Sequence, residues 1–479
     1  MREEDFHCRC IYDLLEGLRE GLKLFSGPSR VAMIYALTAD TPLRICDPQG
    51  LLSDHQPRFK ELFVDTDDWR RVPPIMHTLR RFDQILPEKD LGLAGLISFG
   101  GRSTAMFFQM WFTDHHPDMC AVGPTERWLE HAVYRLSHDV ANSKDLYTGI
   151  SGAFLREYAS HAVRDFIIDE MGMALGMDTQ LRVYPILDAV LGISRTLEEG
   201  AWARGQLMFV EPAAMPSVVF AARFPQSEQP QLSKFKHVRK LLTAVEFSPR
   251  KLVSDGRSIV GIAQGAPPRF NIVADFRGGY GLLRLNGEKI CSFADGRFLS
   301  TTHRAKLVQV EEILLESDLD PEVRDDLFKV INDIVHTAES GKYGCTLVID
   351  LNPQPVAISG QVLAAPLDLR QPDSLSLAKS LAKVDGALHI GADLKLHAFA
   401  CLLDGRAFAG EDRARGARYN SALRFTAAQP GLVIVVVSSD RPVSVIQEGV
   451  ELNAQCSLDA VSGCLVSPPT LEEWVKAAG

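Results

Sequence analysis

A carboxylate and an arginine in the last third of the chain are the residues best suited to chemistry. Asp385 precedes Gly386 and Ala387 at the start of an apolar, strand-like run, and these small residues let a ligand approach the backbone closely. A carboxylate placed there could bind a divalent metal or accept a proton from a hydroxyl group. Asp-Gly is also a favoured pair where a helix turns into a strand, which is the purely structural alternative.

The stretch RGARYNSALRF at 415–425 is the second candidate. Gly416 and Ala417 leave the backbone unobstructed in front of a helical pattern, and the free N–H groups and dipole of a helix N-terminus attract anions. Arg418 adds a planar charged fork that suits phosphate oxygens, and Ser421 could cap the helix or donate a hydrogen bond. Taken alone the signal is weak, because a Gly-Ala-Arg turn before a helix is usually only a turn.

Alternating strand and helix patterns predict the elements that position these residues. Asp320 as N-cap and Pro321 at the first helical position predict a helix, followed by the strand CTLVID and a short helix capped by Asp373. A hairpin turning at 391–393 then leads to the arginine loop, the strand LVIVVV and a last hairpin. Because some neighbouring strands form hairpins, we predict an α/β fold with a mixed sheet flanked by helices.

The region before residue 305 contains a different mixture of patterns. Residues 1–200 combine strand-like runs at 30–37 and 42–52 with helical patterns at 125–141 and 153–172, which predicts an α/β module. Residues 201–304 are rich in strand signals, and the pairs Asn286-Gly287 and Asp295-Gly296 favour two-residue hairpin turns. We therefore predict a β-rich connector at 201–304, the site-bearing domain at 305–460 and a tail at 461–479.

Composition and charge exclude several functional classes. The 479 residues are 46% hydrophobic and 23% charged, as in ordinary globular proteins. The net charge is −10, which argues against extended electrostatic binding to nucleic acid or anionic lipid. Apolar runs are too short to cross a bilayer and the N-terminus has no apolar signal core, so we expect a cytoplasmic protein without a membrane partner. The nine cysteines contain no Cys-x-x-Cys pair and do not suggest disulfides or a zinc ribbon.

Three stretches, VDGALHIGADLKLHAFACLLDG, RGARYNSALRF and LVIVVVSSD, together resemble the diadenylate cyclase domain with which bacteria make cyclic di-AMP. In that family an Asp-Gly-Ala motif precedes a Gly-Thr-Arg-His-Arg-Thr-Ala motif at a similar separation to the 33 residues between Asp385 and Arg418. The resemblance covers roughly the last third of the chain. It implies the family's mixed sheet and a sensor or regulatory role for the N-terminal region, whose sensory ligand is unknown.

The resemblance implies a role for each matched residue. Asp385 matches the aspartate that holds the catalytic Mg²⁺ or Mn²⁺ and helps to activate the ribose 3′-hydroxyl, and Arg418 matches the first arginine beside the triphosphate. Leu403 falls where the family makes a backbone contact to adenine, and Asp440 follows a serine near the place of a family glutamate close to the metal. The implied nucleotide-binding residues are Gly386, Ala387, Leu403, Gly416, Ala417, Arg418, Tyr419, Asn420, Ser421 and Asp440.

The motif also departs from the family pattern. Arg-His-Arg is replaced by Arg418-Tyr419-Asn420 and the threonine by Ala417, and each lost charge-assisted hydrogen bond costs about 1.5–3 kcal/mol. The implied reaction condenses two ATP into cyclic di-AMP and two pyrophosphate at a face-to-face homodimer or higher assembly. Two alternatives remain open: a catalytically weak or inactive nucleotide-binding signalling protein, and a same-fold enzyme that uses another nucleotide or makes a linear dinucleotide. No basic helix-hairpin segment supports nucleic-acid binding.

Overall fold

A computed structural model describes residues 3–27, 29–53, 55–71, 85–88, 90–116, 119–141, 147–176, 178–302, 307–341, 343–405, 416–438, 443–452 and 468–477. The chain divides into two compact units. Unit 1 consists of Met1–Arg304 together with Asp459–Gly479, and unit 2 consists of Ala305–Leu458. Unit 2 is therefore an insertion in the chain of unit 1. Within the described ranges, no helix is both long and apolar enough to cross a membrane.

The first half of unit 1 is an antiparallel sheet with helices. Its strands, in the spatial order β2-β1-β5-β4-β3, are β1 (Val31–Ala36), β2 (Arg44–Cys46), β3 (Leu86–Glu88), β4 (Leu96–Arg102) and β5 (Phe108–Asp114). The helices of this half are α1 (Glu3–Ser26), α2 (Gln56–Phe59), α3 (Val122–Ala141), α4 (Ser151–Arg156), α5 (Ala159–Leu175) and α6 (Val183–Ser194), and α7 (Phe235–Leu242) follows in the second half. Strands and helices are thus mixed within residues 1–200, and the predicted bounds of the module stay a prediction.

One predicted helix is divided in two. The pattern at 153–172 predicted a single helix, but the structure separates α4 from α5 at residues 157 and 158. At the break, the N–H groups of Glu157 and Tyr158 donate to the carbonyls of Phe154 and Leu155, three residues back, which interrupts the α-helical hydrogen bonds. The start of α4 packs closely against α1: Asp13 accepts a hydrogen bond from the Gly152 backbone at 3.1 Å, and a Cβ on Gly17 would lie 2.1 Å from the Gly152 carbonyl oxygen.

The second half of unit 1 contains an eight-stranded sheet in the order β13-β12-β11-β10-β6-β8-β9-β7, with only β6 and β8 parallel among its pairs. Both predicted hairpin turns are confirmed: Asn286 and Gly287 have φ of 52° and 94°, and Asp295 and Gly296 have φ of 51° and 70°. The strands are β6 (Arg204–Phe209), β7 (Phe220–Arg223), β8 (Lys251–Ser254), β9 (Ile259–Ala263), β10 (Ile272–Arg277), β11 (Tyr280–Leu285), β12 (Glu288–Ala294) and β13 (Arg297–Leu299).

The core of unit 1 is continuous across residue 200, where we predicted a domain boundary. Trp111 and Trp128 from the first half belong to the same buried apolar cluster as Phe209 and Phe293 from the second half. All four side chains are fully buried. The two halves of unit 1 are thus held together by a shared hydrophobic core, whose burial stabilises them jointly.

Unit 2 is built around a seven-stranded mixed sheet in the order β15-β17-β16-β14-β18-β19-β20. Strands β14 and β16 are parallel and every other pair is antiparallel, as the hairpin pattern predicted. The elements are α8 (Val308–Leu315), α9 (Pro321–Ser340), β14 (Cys345–Asp350), β15 (Gln361–Asp368), α10 (Pro372–Leu381), β16 (Ala387–Gly391), β17 (Lys395–Cys401), α11 (Ala417–Ala428), β18 (Leu432–Val437), β19 (Ser444–Gln447) and β20 (Val450–Glu451).

Helices cover both faces of this sheet. Buried apolar residues of α8, α9 and α10 pack against one face, and those of α11 pack against the other. Asp320 caps α9 as predicted, because its Oδ1 accepts a hydrogen bond from the Glu322 N–H at 2.9 Å. The predicted cap at Asp373 is wrong: Gln371 is the N-cap of α10 and Pro372 takes the first helical position, which leaves Asp373 inside the first turn.

The chain after unit 2 rejoins the first sheet of unit 1. Residues 468–470 run beside β2, with an isolated bridge between Arg44 and Thr470, and α12 (Leu471–Ala477) follows. Leu471 is 1% exposed, and the Trp474 ring meets Phe59 edge-on with 6.0 Å between their centroids. The segment that we predicted as a tail therefore closes part of the unit 1 core.

Candidate functional site

Four strand ends meet at one edge of the unit 2 sheet. The parallel strands β14 and β16 begin at this edge, and β17 and β18 run in the opposite direction and end there. The register makes this explicit: Cys345 pairs with Val437, and Ala387 pairs with Cys401. Residues just before β14 and β16 and just after β17 and β18 are therefore gathered at a single edge.

The two residues singled out for chemistry are in contact at this edge. Arg418 Nη2 donates a hydrogen bond to Asp385 Oδ1 at 3.1 Å. The Asp385 side chain is fully exposed and that of Arg418 is 46% exposed. Water screens such a pair, so it adds little to stability. Its significance is chemical, because a carboxylate and a guanidinium 33 residues apart in sequence face one another in a site open to solvent.

Close backbone packing fixes the direction of Asp385. Gly386 has φ of 108°, and a Cβ at this residue would lie 2.5 Å from the carbonyl carbon and 2.6 Å from the Cα of Ala400. Ala400 itself has an unusual φ of 51°. Strand β17 therefore passes directly against residue 386, and only glycine combines this φ with this approach. Glycine at residue 386 is thus required by the close packing of β17. It also leaves space for a ligand to approach the backbone.

The N-terminus of α11 has the properties of an anion site. Gly416 is the N-cap, with φ of 87°, and no side chain of the described residues caps the helix. Among those residues nothing lies within 4 Å of the place where a Cβ would stand on Gly416, and Ala417 and Arg418 are exposed. Backbone N–H groups of the first turn, the positive end of the helix dipole and the guanidinium therefore share one accessible region.

Gly344, which sequence reasoning missed, determines where Arg418 lies. A Cβ on Gly344 would come within 2.5 Å of Arg418 Nη1, so the guanidinium packs over the bare backbone in front of β14. The next residue, Cys345, is buried, and burial raises the pKa of its thiol to about 12. A glycine immediately before a buried strand was the available signal, but nothing local connects it to Arg418.

Comparison with known proteins identifies the type of domain that carries this edge. Residues 333–450 match the family model described as "DisA bacterial checkpoint controller nucleotide-binding", or DAC. The pair Asp385–Arg418 lies inside this range. Residues 333–450 form a DAC domain. This confirms the resemblance inferred from the two motifs, and it makes unit 2 a nucleotide-binding unit of the diadenylate cyclase type.

Two further family models match the region before the DAC domain. Residues 5–177 match "Probable sensor domain DACND" and residues 184–291 match "Probable sensor domain DACNH". Both matches lie in unit 1. The N-terminal region thus consists of two domains of sensor type, which agrees with the regulatory role expected from the sequence.

Similar solved structures were also found. A hypothetical membrane spanning protein from Bacillus cereus is 21% identical over 26% of this chain and 60% of that chain, with a TM-score of 0.22. This chain therefore covers less than two thirds of that protein. A double mutant of DacA from Staphylococcus aureus is 15% identical over 32% of this chain and 93% of that chain, with a TM-score of 0.21. Neither likeness carries weight at such TM-scores. No curated protein matched the sequence.

The remaining predicted residues of the DAC domain take different positions. Ala387 is buried as the first residue of β16, and Ser421 is half-exposed one turn into α11, where it cannot act as the cap. Leu403 lies two residues beyond β17 and packs, half-buried, against the apolar cluster under α11. Asp440 lies outside the described residues. Asp385, Gly386, Gly416, Ala417 and Arg418 are therefore the predicted residues that form the exposed edge.

Two residues of the altered motif face the protein. The Tyr419 hydroxyl donates a hydrogen bond to Glu451 Oε2 at 3.0 Å, which joins α11 to β20. Asn420 is only 8% exposed and packs on the inner side of α11. In this arrangement Arg418 supplies the exposed charge of the Arg-Tyr-Asn stretch, whereas the other two side chains serve the helix packing.

A buried pair lies away from this edge, where β14 ends. His389 Nε2 is 2.9 Å from Asp350 Oδ2, and both residues are almost inaccessible to solvent. Burial raises the pKa of Asp350, but hydrogen bonds from His389, the Val356 N–H and Asn352 outweigh it and hold that pKa below its ordinary value. The pair joins β14 to β16 and anchors the loop after β14, so we interpret it as structural.

The single exposed carboxylate at this edge suits a metal ion whose remaining ligands are phosphate oxygens and water. Among the described residues, no three His, Cys, Asp or Glu side chains are grouped so that they could hold a metal ion. Mg²⁺ commonly uses one or two protein carboxylates and completes its shell with phosphate oxygens and water. Asp385, with its fully exposed carboxylate beside the anion site, fits that pattern.

Proposed function

We propose that the DAC domain is a diadenylate cyclase, which condenses two molecules of ATP into cyclic di-AMP and releases two pyrophosphates. The observation that carries this proposal is the contact between Asp385 and Arg418 beside the N-terminus of α11. It unites a carboxylate, a guanidinium and backbone N–H donors at the exposed edge of a domain that matches the DAC family. Phosphoryl transfer needs these groups, since its catalysis is mainly positioning and charge stabilisation.

The triphosphate is held at the N-terminus of α11. Phosphate oxygens accept hydrogen bonds from the first-turn N–H groups, and Gly416 allows them to approach because it has no side chain. Arg418 turns from Asp385 to the phosphates, where its fork neutralises charge that develops on the α-phosphate and on the departing pyrophosphate. Leu403 and Tyr419 belong to the apolar cluster beside this region and bound the space that is left for the adenosine.

Asp385 serves the attacking hydroxyl. The 3′-oxygen of one ATP forms a bond to the α-phosphorus of the other, the bond from that phosphorus to its bridging oxygen breaks, and the electron pair leaves with pyrophosphate. Asp385 accepts the proton of this hydroxyl group as the new bond forms. The same displacement in the opposite sense forms the second bond and releases the second pyrophosphate. The same carboxylate would hold Mg²⁺ or Mn²⁺, which supplies charge neutralisation at the phosphate oxygens when it is bound.

One copy of the site supplies one Asp385 and one α11, so the reaction requires two DAC domains face to face. Apolar side chains beside the site support such an encounter. Val384 immediately precedes Asp385 and is 44% exposed, and Leu402 immediately precedes Leu403 and is 61% exposed. These side chains lose their contact with water when two copies meet, which favours association. The sensor domains of unit 1 would regulate how often such pairs form.

Mass spectrometry of the products tests the proposal. The purified chain is incubated with ATP and Mg²⁺ or Mn²⁺ beside Asp385→Asn and, as a matched control, Asp373→Asn in the exposed first turn of α10. We expect cyclic di-AMP from the wild type and the control, and a loss of at least about 100-fold in Asp385→Asn. The rate per molecule should rise with protein concentration, because two copies must meet.

The alternatives give different outcomes. ATP binding without turnover at any protein concentration would contradict the cyclase and favour a nucleotide-binding signalling protein. The burial of Asn420 and the engagement of Tyr419 by Glu451 give that alternative its basis, because they reduce the number of phosphate ligands. A linear product, or a cyclic product from another nucleotide only, would retain the nucleotidyltransferase but replace its substrate.

A further inference from the structure

Unit 1 contains an open cleft of about 620 Å³ between its two sensor-type domains. One wall comes from the start of α3 and from Phe166 on α5, within the DACND match. The other wall comes from the end of β11 and the start of β12, within the DACNH match. Thr302, which follows β13, completes the lining. A cleft of this volume is large enough for a small organic molecule.

Two cations stand directly opposite each other at this cleft. Arg284 on β11 and Lys289 on β12 are partners in the strand register, and both line the cleft. Like charges directly opposite across two strands are destabilising. The Arg284 guanidinium donates to the Gly287 carbonyl at 3.1 Å, but in the described part of the chain neither cation forms an ion pair. Glu288 is the lining acid, so the cleft keeps an excess positive charge in a chain with a net charge of −10.

The opposite wall adds positive potential and an apolar surface. Helix α3 begins at Val122 and runs for 20 residues. Val122, Gly123 and Pro124 line the cleft, so the positive end of the helix dipole lies there, and its first turn contains no acidic residue that would offset it. Met119, Phe166 and Ile290 contribute apolar side chains. The cleft therefore combines cations on one side with a hydrophobic wall on the other. An amphiphilic anion can contact both sides, whereas water or a bare inorganic ion cannot use the hydrophobic wall.

We propose that this cleft is a ligand-binding site for a small organic anion that carries a phosphate or carboxylate group on an apolar body. The anionic group is bound by Arg284 and Lys289, and the apolar body packs against Phe166 and Met119. Binding relieves the repulsion between the two cations, which gives the site a source of affinity that a neutral molecule cannot use.

The cleft is joined by hydrogen bonds to the segment that leads into the DAC domain. The N–H groups of Cys120 and Ala121 donate to the Ser300 carbonyl at 2.8 and 3.1 Å, and Met119 forms a bridge with Thr301. The lining residue Thr302 precedes by three positions Ala305, where unit 2 begins. A ligand in the cleft therefore contacts both sensor-type domains and the start of the connection to unit 2.

Binding of 1-naphthyl phosphate to the full chain, without ATP, tests the site. We expect saturable calorimetric binding with a Kd below about 1 mM, and binding of neutral 1-naphthol at least about tenfold weaker. The variant with Arg284→Ala and Lys289→Ala should bind the phosphate at least about tenfold less tightly. The matched control, with Lys251→Ala and Arg297→Ala, removes the same charge outside the cleft and should bind like the wild type.

Cys120 reports where the probe binds. It lines the cleft and is partly exposed, whereas the other cysteines in the described ranges are buried. We expect 1-naphthyl phosphate to slow alkylation of Cys120 in the wild type, measured by peptide mass spectrometry, and not in the doubly substituted variant. Equal affinity of the two double variants, unprotected Cys120 at saturation, or no binding at millimolar probe would each overturn the proposal. None of these results depends on cyclase activity.

Discussion

The guanidinium of Arg418 packs over the bare backbone of Gly344, so that a Cβ at residue 344 would stand 2.5 Å from Nη1 and 3.4 Å from Cζ. Gly344 immediately precedes the buried strand β14, and Arg418 is the second residue of α11. The position of the arginine beside Asp385 therefore depends on the absence of a side chain on another element of the sheet edge.

Gly344→Ala should impair the reaction while leaving the fold intact. The new methyl group meets the end of the flexible Arg418 side chain, which can move, and the Val437 carbonyl oxygen at 3.2 Å, which must shift slightly, so we expect the free energy of unfolding to fall by only about 1 kcal/mol. Arg418 is displaced from its place beside Asp385, and misplacement by about 1 Å can cost a factor of about 100 in rate. Product formation from ATP and thermal unfolding measure the two effects separately.

Gly279→Ala is the control for this experiment, since no atom of the part of the chain that the structure describes lies within 4 Å of a Cβ at that residue. It should match the wild type in both measurements. Wild-type turnover by Gly344→Ala would show that the contact between Arg418 and Gly344 is irrelevant to the reaction.

Substitution by alanine should lower the free energy of unfolding by different amounts at two glycines of the site. Gly386 and Gly416 both have positive φ, 108° and 87°, so alanine is strained at either by about 1–3 kcal/mol. Only Gly386 faces a second backbone, because its Cβ would lie 2.5 Å from the carbonyl carbon of Ala400. We expect Gly386→Ala to lower the free energy of unfolding by about 1–3 kcal/mol more than Gly416→Ala, measured by urea denaturation. Equal losses of unfolding free energy in the two variants would mean that β17 moves to accommodate the new methyl group.

The buried pair Asp350–His389 should make unit 2 dependent on pH. Hydrogen bonds hold the pKa of Asp350 below its ordinary value in the folded state. The ionised carboxylate therefore stabilises the fold at pH values above that ordinary value, about 4, and this contribution is lost as the pH falls through the folded-state pKa. Asp350→Asn should cost about 3 kcal/mol or more at neutral pH, because it leaves buried donors badly paired.

Urea denaturation at several pH values checks this expectation. The difference in the free energy of unfolding between the wild type and Asp350→Asn should shrink as the solution is acidified below about pH 4. Asp368→Asn, at the half-exposed end of β15, supplies the control and should show a smaller difference at neutral pH. A difference for Asp350→Asn that stays constant with pH would contradict the assignment of the stabilisation to an ionised carboxylate.

Leu471→Ala should destabilise unit 1 even though residue 471 follows the DAC domain in the chain. Leu471 is 1% exposed, and its N–H donates to the Leu43 carbonyl at 2.8 Å. Truncation of a buried leucine typically costs about 2–5 kcal/mol. Lys476→Ala on the exposed side of α12 should cost far less. Hydrogen exchange of strands β1 and β2 measures the effect in unit 1, and exchange in unit 2 should not change; loss of protection in unit 2 would overturn this assignment.

Local signals were sufficient for several elements of the fold. Asn286-Gly287 specifies a hairpin turn through its own backbone preferences, and Asp320 with Pro321 specifies the start of α9 through the chemistry of helix caps. The pairing of Asp385 with Arg418 came from the resemblance of their two motifs to the family, since the local signal at each was weak, and their roles stay predictions.

Features that depend on distant contacts could not be read in this way. The close approach of α4 to α1 joins Gly152 to Gly17, which are far apart in the sequence. Gly344 became part of the site only when α11 was seen to lie against it. The pair Asp350–His389 joins two strands that are adjacent only in space. In each case the deciding interaction is tertiary, so the local pattern contains no trace of it.

The return of the chain to unit 1 has a consequence for the order of synthesis. Helix α12 covers Phe59, yet the ribosome makes it only after every strand of unit 2. At about 5–20 residues per second, the wait between β13 and α12 lasts on the order of ten to thirty seconds. During that interval the nascent sensor region holds an uncovered apolar surface beside β2, while the DAC domain is being made; the DAC domain has its whole sequence before α12 appears. The region made first is therefore the last to be completed, and it is the region most exposed to misassembly on the ribosome.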